Sequence, residues 1–186
     1  YRPVTGPRLL PRHRRARLEF ARTQANWNAE KCSHVSWSDE SRFSLRSPDG
    51  RERVWRRAGE RYAQCTISPR ESFHGGSVMV WGGISREART ELVIVNRGTI
   101  NAERYVEDIL SEHVVVFAGF VGRTLMFMHD NARLHTAGVV QDYLNEVGTI
   151  VMAWPAHSPD LNTLEHIWDV MGRAIRNRRG ELHTLA

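Results

Sequence analysis

Three acidic residues of this chain stand where predicted strands end and where the last predicted helix begins. Asp39 lies at the end of "HVSWSDE", Asp130 follows the apolar run of "TLMFMHDN", and Glu165 lies in the first helical turn of "SPDLNTLEHIW". A carboxylate beside buried strands is costly unless it is paired or binds a metal ion. An all-oxygen ligand set suits Mg²⁺ or Mn²⁺ rather than zinc. If the three carboxylates converge, they predict a two-metal site for phosphoryl transfer.

Each acid also has an ordinary structural interpretation, which the residues alone leave open. Asp39 could simply end a strand, and Glu40 beside it could equally be the functional acid. Asp130 could belong to a turn, because Asp and Asn side chains bond their own backbone. Glu165 is the third residue after Asn162, which fits a helix capping box.

The first half of the chain reads as a helix followed by short strands. A basic helix is predicted over residues 12–30, and "HVSWSDE", "RFSL", "SVMVWGGIS" and "TELVIVN" are predicted strands. Residues 48–50 have hairpin turn chemistry, and "ERVWRR" is the expected partner strand. The inner side of the basic helix is expected to carry Leu18, Ala21, Ala25 and Trp27.

From residue 101 onward, helices alternate with strands. A helix capped by Asn101 is predicted before the strand "TLMFMHDN". A second helix, which stops at Gly148, is predicted before the strand "TIVMAWP". Both strands are predicted to be buried. A last helix starts near Asn162. Because parallel strands need crossover connections, this order predicts an α/β fold with a mixed sheet flanked by helices. The expected apolar positions of the last two helices are Val139, Val140, Tyr143, Leu144 and Val147, and Leu164, Ile167, Trp168, Met171 and Ile175.

The positive charge of the chain is concentrated at its start. The formal net charge is +5, and residues 1–22 hold seven arginines against a single acidic residue, Glu19. An arm of this kind is expected to lie on phosphates, although a solvated helix face has the same composition. The candidate DNA contacts are Arg12, Arg14, Arg15 and Arg17, with Arg56 and Arg57 in the predicted hairpin.

Composition narrows the class of protein further. The chain has 186 residues, 41% of them hydrophobic, which is enough for one domain with its own core. Its two cysteines lack metal-ligand spacing, and no apolar run reaches the length of a membrane span. These features predict a protein without a structural zinc site or a membrane partner.

Four segments in combination resemble the catalytic domain of mariner-type transposases in the Tc/mariner superfamily. "WSDESRF" resembles the family's first-Asp strand, and "VWGGIS" its mid-domain glycine strand. "HDNARLHTA" resembles its second-Asp motif, and "SPDLNTLEHIWDVM" its terminal Glu motif. The 34 residues between Asp130 and Glu165 are typical of one major branch of the superfamily. The resemblance runs from about residue 12 to residue 180.

The resemblance implies a ribonuclease H-like fold and a cut-and-paste DNA transposase. Such an enzyme cleaves at transposon ends and joins the freed 3′-OH to target DNA, usually at a TA step. The resemblance further implies that Asp39, Asp130 and Glu165 are catalytic and bind two Mg²⁺ or Mn²⁺ ions. A DNA partner, a homodimer in the active complex and a nuclear location are also implied.

Further residues match the motifs without being ligands. Asn131 and His135 match the second motif and are expected to shape or contact the site. The expected turn that aims the last helix consists of Ser158, Pro159, Asp160 and Asn162. Thr163 departs from the proline usual in the family, which removes some preorganisation at the first helical position.

The resemblance also sets the expected domain organisation. Residues 1–30 are interpreted as an Arg-rich linker and helix that follow a missing DNA-binding region, and residues 31–186 as a C-terminally truncated catalytic domain.

Two other functions are consistent with the sequence. One is a catalytically inactive or co-opted fragment that binds DNA or protein, and the other is a nuclease acting on RNA–DNA hybrids.

Overall fold

Five strands form one mixed sheet. The computed structural model describes residues 9–44, 77–95, 100–122 and 125–178. The strands are β1 (Val35–Ser44), β2 (Ser77–Ile84), β3 (Val93–Val95), β4 (Met126–Met128) and β5 (Ile150–Val151), and their order across the sheet is β3-β2-β1-β4-β5. β1 pairs antiparallel with β2 and parallel with β4; β2 pairs antiparallel with β3, and β4 parallel with β5. The predicted mixed sheet is therefore confirmed.

Helices precede the sheet and connect its parallel strands. They are α1 (Pro11–Gln24), α2 (Ala29–Ser33), α3 (Ala102–Arg104), a π-helical stretch (Tyr105–Val114), α4 (Val115–Val121), α5 (Gly138–Glu146) and α6 (Thr163–Asn177). A short 3₁₀ turn (Pro159–Leu161) precedes α6. None of the described helices combines the length and apolar character needed to cross a membrane.

The centre of the sheet is buried, whereas its edges are not. Phe127 and Met128 of β4 are fully buried, as predicted for that strand. β5 is different, because it lies at the edge of the sheet and Ile150 is 50% exposed. The prediction that "TIVMAWP" forms a strand buried on both faces is therefore wrong at β5.

The helix predicted after residue 101 is present, but its middle is π-helical. The Asn101 side chain caps it by accepting a hydrogen bond from the Arg104 N–H. Its buried side chains fall five residues apart, Tyr105 with Leu110 and Ile109 with Val114. The wider π turn aligns these pairs on the sheet, where Trp81 is also buried.

The buried side of α1 differs from the prediction. Leu18 is 50% exposed, and Ala21 and Ala25 are also exposed, so the predicted inner side is wrong for these three. Four other residues contact the chain between β5 and α6: His13, Arg17, Phe20 and Gln24. These four are called the inner face of α1 below. The apolar pattern misses this face because its partners are aromatic and acidic rather than aliphatic.

The ends of α5 and the buried face of α6 follow the predictions more closely. Gly148 ends α5 with a φ of 69°, a left-handed conformation that glycine adopts without strain. Val140 and Leu144 of α5 are buried, whereas Val139 and Val147 are partly exposed. In α6 the buried side chains are Leu164 and Trp168, and Ile167, Met171 and Ile175 are half-buried.

The predicted hairpin lies outside the described residues. This applies to the turn at residues 48–50, to "ERVWRR" and to the arginines at 51, 53, 56, 57 and 61. The division of the chain at residue 30 also stays a prediction.

Gly82 permits close packing of α6 on β2. It lies opposite Asp39 in the β1–β2 pairing, and a Cβ there would meet the Trp168 ring at 3.3 Å. We expect Gly82→Val to lower the free energy of unfolding by about 1–3 kcal/mol through overpacking. Gly119→Val in α4, where a Cβ has open space, should change it by less than about 0.5 kcal/mol. Urea denaturation measures both, and equal effects would contradict the packing role of Gly82.

Candidate active site

The parallel pairing of β1 and β4 sets two acidic residues at the same level of neighbouring strands. Trp37 pairs with Met128, and Asp39 and Asp130 each follow two residues later. Neighbouring strands lie about 4.8 Å apart, so Asp39, in the middle of β1, lies next to the point where the chain leaves β4 for Asp130. Asp39 is half-buried within β1, and the Asp130 side chain is 52% exposed just beyond β4.

The start of α6 is tied to the same end of the sheet. The Asn162 side chain accepts a hydrogen bond from the Leu164 N–H at 3.1 Å and donates one to the Ser38 carbonyl oxygen at 3.3 Å. One residue thus caps α6 and fixes it to β1 beside Asp39. Because the cap is supplied by Asn162, the Glu165 side chain is not needed for a capping box.

One turn further along α6, Trp168 contacts Asp39 directly. Its indole Nε1–H donates to Oδ2 of Asp39 at 3.1 Å. Glu165 lies three residues before Trp168, so the two are neighbours on the helix surface, and Glu165 is exposed. Trp168 was predicted only as a core residue, and its polar role was missed. An indole N–H on the same helix face as the acid is the signal that could have revealed it.

The carboxylates perturb one another at this corner of the fold. Burial raises the pKa of Asp39 to about 7, with repulsion from Glu165 and Glu40 adding to the effect. The pKa of Glu165 is raised by burial and by repulsion from Asp130. Glu165 is therefore coupled electrostatically both to Asp39 and to Asp130.

Asp130 is held by His135, which also reaches Glu40. Nδ1 of His135 lies 2.7 Å from Oδ1 of Asp130, and Nε2 lies 3.3 Å from Oε1 of Glu40. The Ala132 N–H also donates to Oδ1 of Asp130 at 2.8 Å. The His135 hydrogen bond, with that of Ala132, lowers the pKa of Asp130. Glu40 therefore takes part in this corner through His135, a role that its position next to Asp39 alone did not reveal.

The His135 ring is buried among other rings. Its side chain is 3% exposed, and its ring lies 4.8 Å from that of His129 and 4.6 Å from that of Tyr105. Burial alone would lower the pKa of His135, but the hydrogen bonds with Asp130 and Glu40 outweigh it and raise the pKa to about 9. Burial and the neighbouring His135 lower the pKa of His129 to about 3. Of these two histidines, His135 is therefore the one that carries a positive charge at neutral pH, and it lies between Asp130 and Glu40.

The remaining motif residues have structural contacts rather than a place among the acids. Asn131 donates from Nδ2 to the Trp154 carbonyl oxygen at 2.8 Å, which joins the loop after β4 to the chain after β5. Ser158 is buried, and the 3₁₀ turn starting at Pro159 leads directly to Asn162. Asp160 accepts hydrogen bonds from Arg17.

The predicted DNA-contacting arginines fall into two groups. Arg12, Arg14 and Arg15 are exposed on α1. Arg17 is instead engaged in a two-pronged ion pair with Asp160, at 2.8 and 2.6 Å. Arg56 and Arg57 lie outside the described residues.

The residue types of this corner suit a hard divalent cation. Asp39, Asp130 and Glu165 supply carboxylate oxygens, and the raised pKa values of Asp39 and Glu165 show negative charge in need of compensation. Within the described residues, however, no three His, Cys, Asp or Glu side chains are arranged closely enough to hold one ion as they stand. The donor set therefore fits, and binding requires the carboxylates to turn inward.

Comparison with known proteins identifies the family to which the chain belongs. The profile of the DDE superfamily endonuclease family matches residues 34–184, and the chain therefore belongs to this family. Within it, the similar curated proteins are Tc1-type transposases, as the resemblance implied. The Tcb1 transposase of Caenorhabditis briggsae is 36% identical over 180 residues, which is 96% of this chain and 65% of that protein. The Tc1 transposase of Caenorhabditis elegans is 32% identical over 175 residues, 94% of this chain and 63% of that protein.

Solved structures confirm the fold. The Mos1 transposase paired-end complex with a left transposon end superimposes with a TM-score of 0.72 at 21% identity, covering 94% of this chain and 52% of that one. The catalytic domain of Mos1 mariner transposase gives a TM-score of 0.62 at 18% identity, covering 97% of this chain and 79% of that one. The predicted ribonuclease H-like fold is thus confirmed, whereas the chain spans less than two thirds of the transposases it resembles.

The raised pKa of Asp39 gives the stability of the metal-free chain a definite pH dependence. The folded state keeps the Asp39 proton up to about pH 7, whereas the unfolded chain releases it near the ordinary value of 3.8. The folded state therefore binds more protons in this window, and the free energy of unfolding should fall as pH rises from about 4 to about 7, by at most about 1.4 kcal/mol per pH unit for one proton.

Denaturation in EDTA across this pH range measures the effect. Asp39→Asn should flatten the slope, whereas Asp142→Asn, at an exposed carboxylate on α5, should leave it unchanged. A slope that persists in Asp39→Asn would contradict the assignment to this residue.

Proposed function

We propose that this chain is the catalytic domain of a cut-and-paste DNA transposase, which cleaves at transposon ends and transfers the strands into target DNA. The observation that carries the proposal is that Asn162 and Trp168 tie the start of α6, which holds Glu165, to Ser38 and Asp39 of β1. Repulsion from Glu165 adds to the raised pKa of Asp39, and repulsion from Asp130 adds to the raised pKa of Glu165, whereas hydrogen bonds lower the pKa of Asp130. Membership of the DDE endonuclease family and the Tc1-type relatives support the same reaction class.

In this proposal the three acids hold two Mg²⁺ or Mn²⁺ ions. Structures of the Mos1 catalytic domain with Mg and with Mn support this choice of metal. Divalent ions bound by carboxylates supply activation of water and neutralisation of the charge that develops on phosphate oxygens.

The surrounding residues of the chain orient the acids. The Trp168 indole N–H holds Oδ2 of Asp39. His135 holds Oδ1 of Asp130 and leaves that side chain half exposed toward solvent, where a phosphate can approach. Asn162 sets the start of α6 and so the position of Glu165. Such partners matter because the reaction depends on placement of charge more than on covalent chemistry.

The proposed partner is DNA, both the transposon ends and a target with TA sites. The exposed Arg12, Arg14 and Arg15 are the proposed phosphate contacts on α1. A homodimer as the active form is part of the same proposal, supported by the paired-end and strand transfer complexes of Mos1. A nuclear location is proposed with it, because the DNA substrate of such an enzyme lies there.

A binding module without catalytic activity is the second candidate function. It is favoured by the arrangement of Asp130, whose Oδ1 is engaged by His135 and Ala132, and by the lack of a closed ligand set among the described side chains. A nuclease acting on RNA–DNA hybrids is not proposed, because the similar curated proteins are transposases.

Cleavage of DNA separates the two candidates. The chain is fused to a DNA-binding domain of known specificity, because the transposon-end sequence is unknown, and incubated with a supercoiled plasmid carrying that domain's site. We expect Mn²⁺-dependent nicks near the site. Asp130→Asn should reduce nicking by more than about a hundredfold, since even partners of metal ligands contribute about 10–100-fold.

Asp142→Asn is the matched control, because it removes an exposed carboxylate on α5 and should leave nicking unchanged. Plasmid binding without nicking by the unmodified fusion would favour the binding module. Equal nicking by Asp130→Asn would overturn the assignment of the site.

A further inference from the structure

The chain between β5 and α6 has little backbone pairing to hold it in place. Residues 152–161, called the connecting segment below, leave the sheet after Met152 donates its N–H to the Phe127 carbonyl oxygen. The segment contains a short 3₁₀ turn and leads into Asn162 and α6. Its position must therefore come largely from side-chain contacts, although it decides where α6 and Glu165 begin.

The inner face of α1 supplies contacts along the connecting segment. The His13 ring stacks on the His157 ring at 4.3 Å, and the Phe20 ring meets the Trp154 ring edge-on at 5.1 Å. At the end of the helix, Gln24 approaches the Met152 sulfur at 4.0 Å. The contacting residues of α1 are spaced four, three and four apart, which places them on one side of a helix.

The strongest of these contacts lies nearest to α6. Both guanidinium nitrogens of Arg17 donate to the two carboxylate oxygens of Asp160, a geometry that fixes direction as well as distance. The Arg17 side chain is 20% exposed and that of Asp160 is 59% exposed, so the pair is shielded from water only on its Arg17 side. Asp160 lies in the 3₁₀ turn, two residues before Asn162, whose side chain caps α6 and binds the carbonyl of Ser38.

The segment also carries a conformation that a free loop would not favour. His157 has a φ of 57°, in the left-handed region that residues other than glycine adopt at a cost. The stacking of His13 on its ring is a contact that compensates this cost. The connecting segment is thus shaped against α1, not only against the sheet.

We propose that α1 is a positioning element for the candidate active site, in which Arg17 acts through Asp160 to fix the start of α6 and the placement of Glu165. The inference rests on the proposed function only in taking Glu165 as a metal ligand. It assigns Arg17 to a role different from that of the exposed arginines of α1. Arg17 is a positioning residue, whereas Arg12, Arg14 and Arg15 stay available for phosphates.

A charge swap tests this role in the 186-residue chain, with metal binding and exchange measured without DNA and binding of a DNA duplex measured separately. The variants are Arg17→Glu, Asp160→Arg and the double swap. Arg14→Glu and Asp142→Arg make the same changes of charge at exposed positions and so match the long-range attraction for cations. For each protein we measure Mn²⁺ affinity by electron paramagnetic resonance, the melting temperature, and amide hydrogen exchange in peptides covering residues 158–168.

Each single variant is expected to weaken Mn²⁺ binding by about 3–10-fold relative to its control, somewhat less than the loss of a direct partner of a metal ligand. Exchange should speed up in the first turn of α6 and not in β1 and β4. The double swap should return both the Mn²⁺ affinity and the exchange rate most of the way to the values of the unmodified chain, because the reversed pair can form in the same place.

Three results would overturn the proposal. In one case, the melting temperature falls while the Mn²⁺ affinity and the exchange rate stay at the level of the control. The pair would then only stabilise the fold. In a second case, the exchange rate and the Mn²⁺ affinity stay unchanged while binding of a DNA duplex weakens and is not recovered in the double swap. That result would make Arg17 a phosphate contact. Local exchange effects that the double swap does not reduce would exclude coupling through this pair.

Failure of the proposed function would look different. If the unmodified chain binds no Mn²⁺, the metal site fails, while hydrogen exchange still decides whether Arg17 and Asp160 fix the start of α6.

Discussion

The parallel pairing of β1 with β4 is the constraint on which the rest of this structure depends. It brings together residues about ninety positions apart and sets Asp39, in the middle of β1, at the level of Asp130, just beyond the end of β4. The same pairing allows His135, beyond β4, to reach Glu40 on β1. A parallel pair needs a crossover, and the helices from Ala102 to Val121 supply it while burying the other side of the sheet.

Close packing of α6 completes the corner. Gly82 leaves room for the Trp168 ring, and the ring's N–H holds Asp39. Asn162 then fixes the first turn of α6 to the backbone of β1. The acids are thereby held near one another despite their repulsion, which is unfavourable for the metal-free fold and favourable for a cation. A site of this kind gives up some stability for a preorganised charge arrangement.

Sequence reasoning predicted most elements correctly because these depend on local signals, whereas the assignment of the acids to one site stays a prediction. Asn101, Asn162 and Gly148 act through their own turns, so capping rules predicted them. The inner face of α1 was predicted wrongly because its partners lie some 140 residues away and are rings and a carboxylate rather than aliphatic side chains. The Glu40–His135 contact was out of reach for the same reason, since it exists only after β1 and β4 pair. Ile150 was misjudged because an apolar pattern does not reveal which strand forms an edge.

The central claim is that Asp39, Asp130 and Glu165 form one metal site. Anomalous diffraction from crystals of the chain soaked in Mn²⁺ tests it most directly. We predict ion density shared by the three carboxylates at distances of about 2.1 Å, the range of a small divalent cation bound by oxygen. Strong Mn²⁺ density elsewhere, or none at this corner under conditions that saturate binding in solution, would contradict the account.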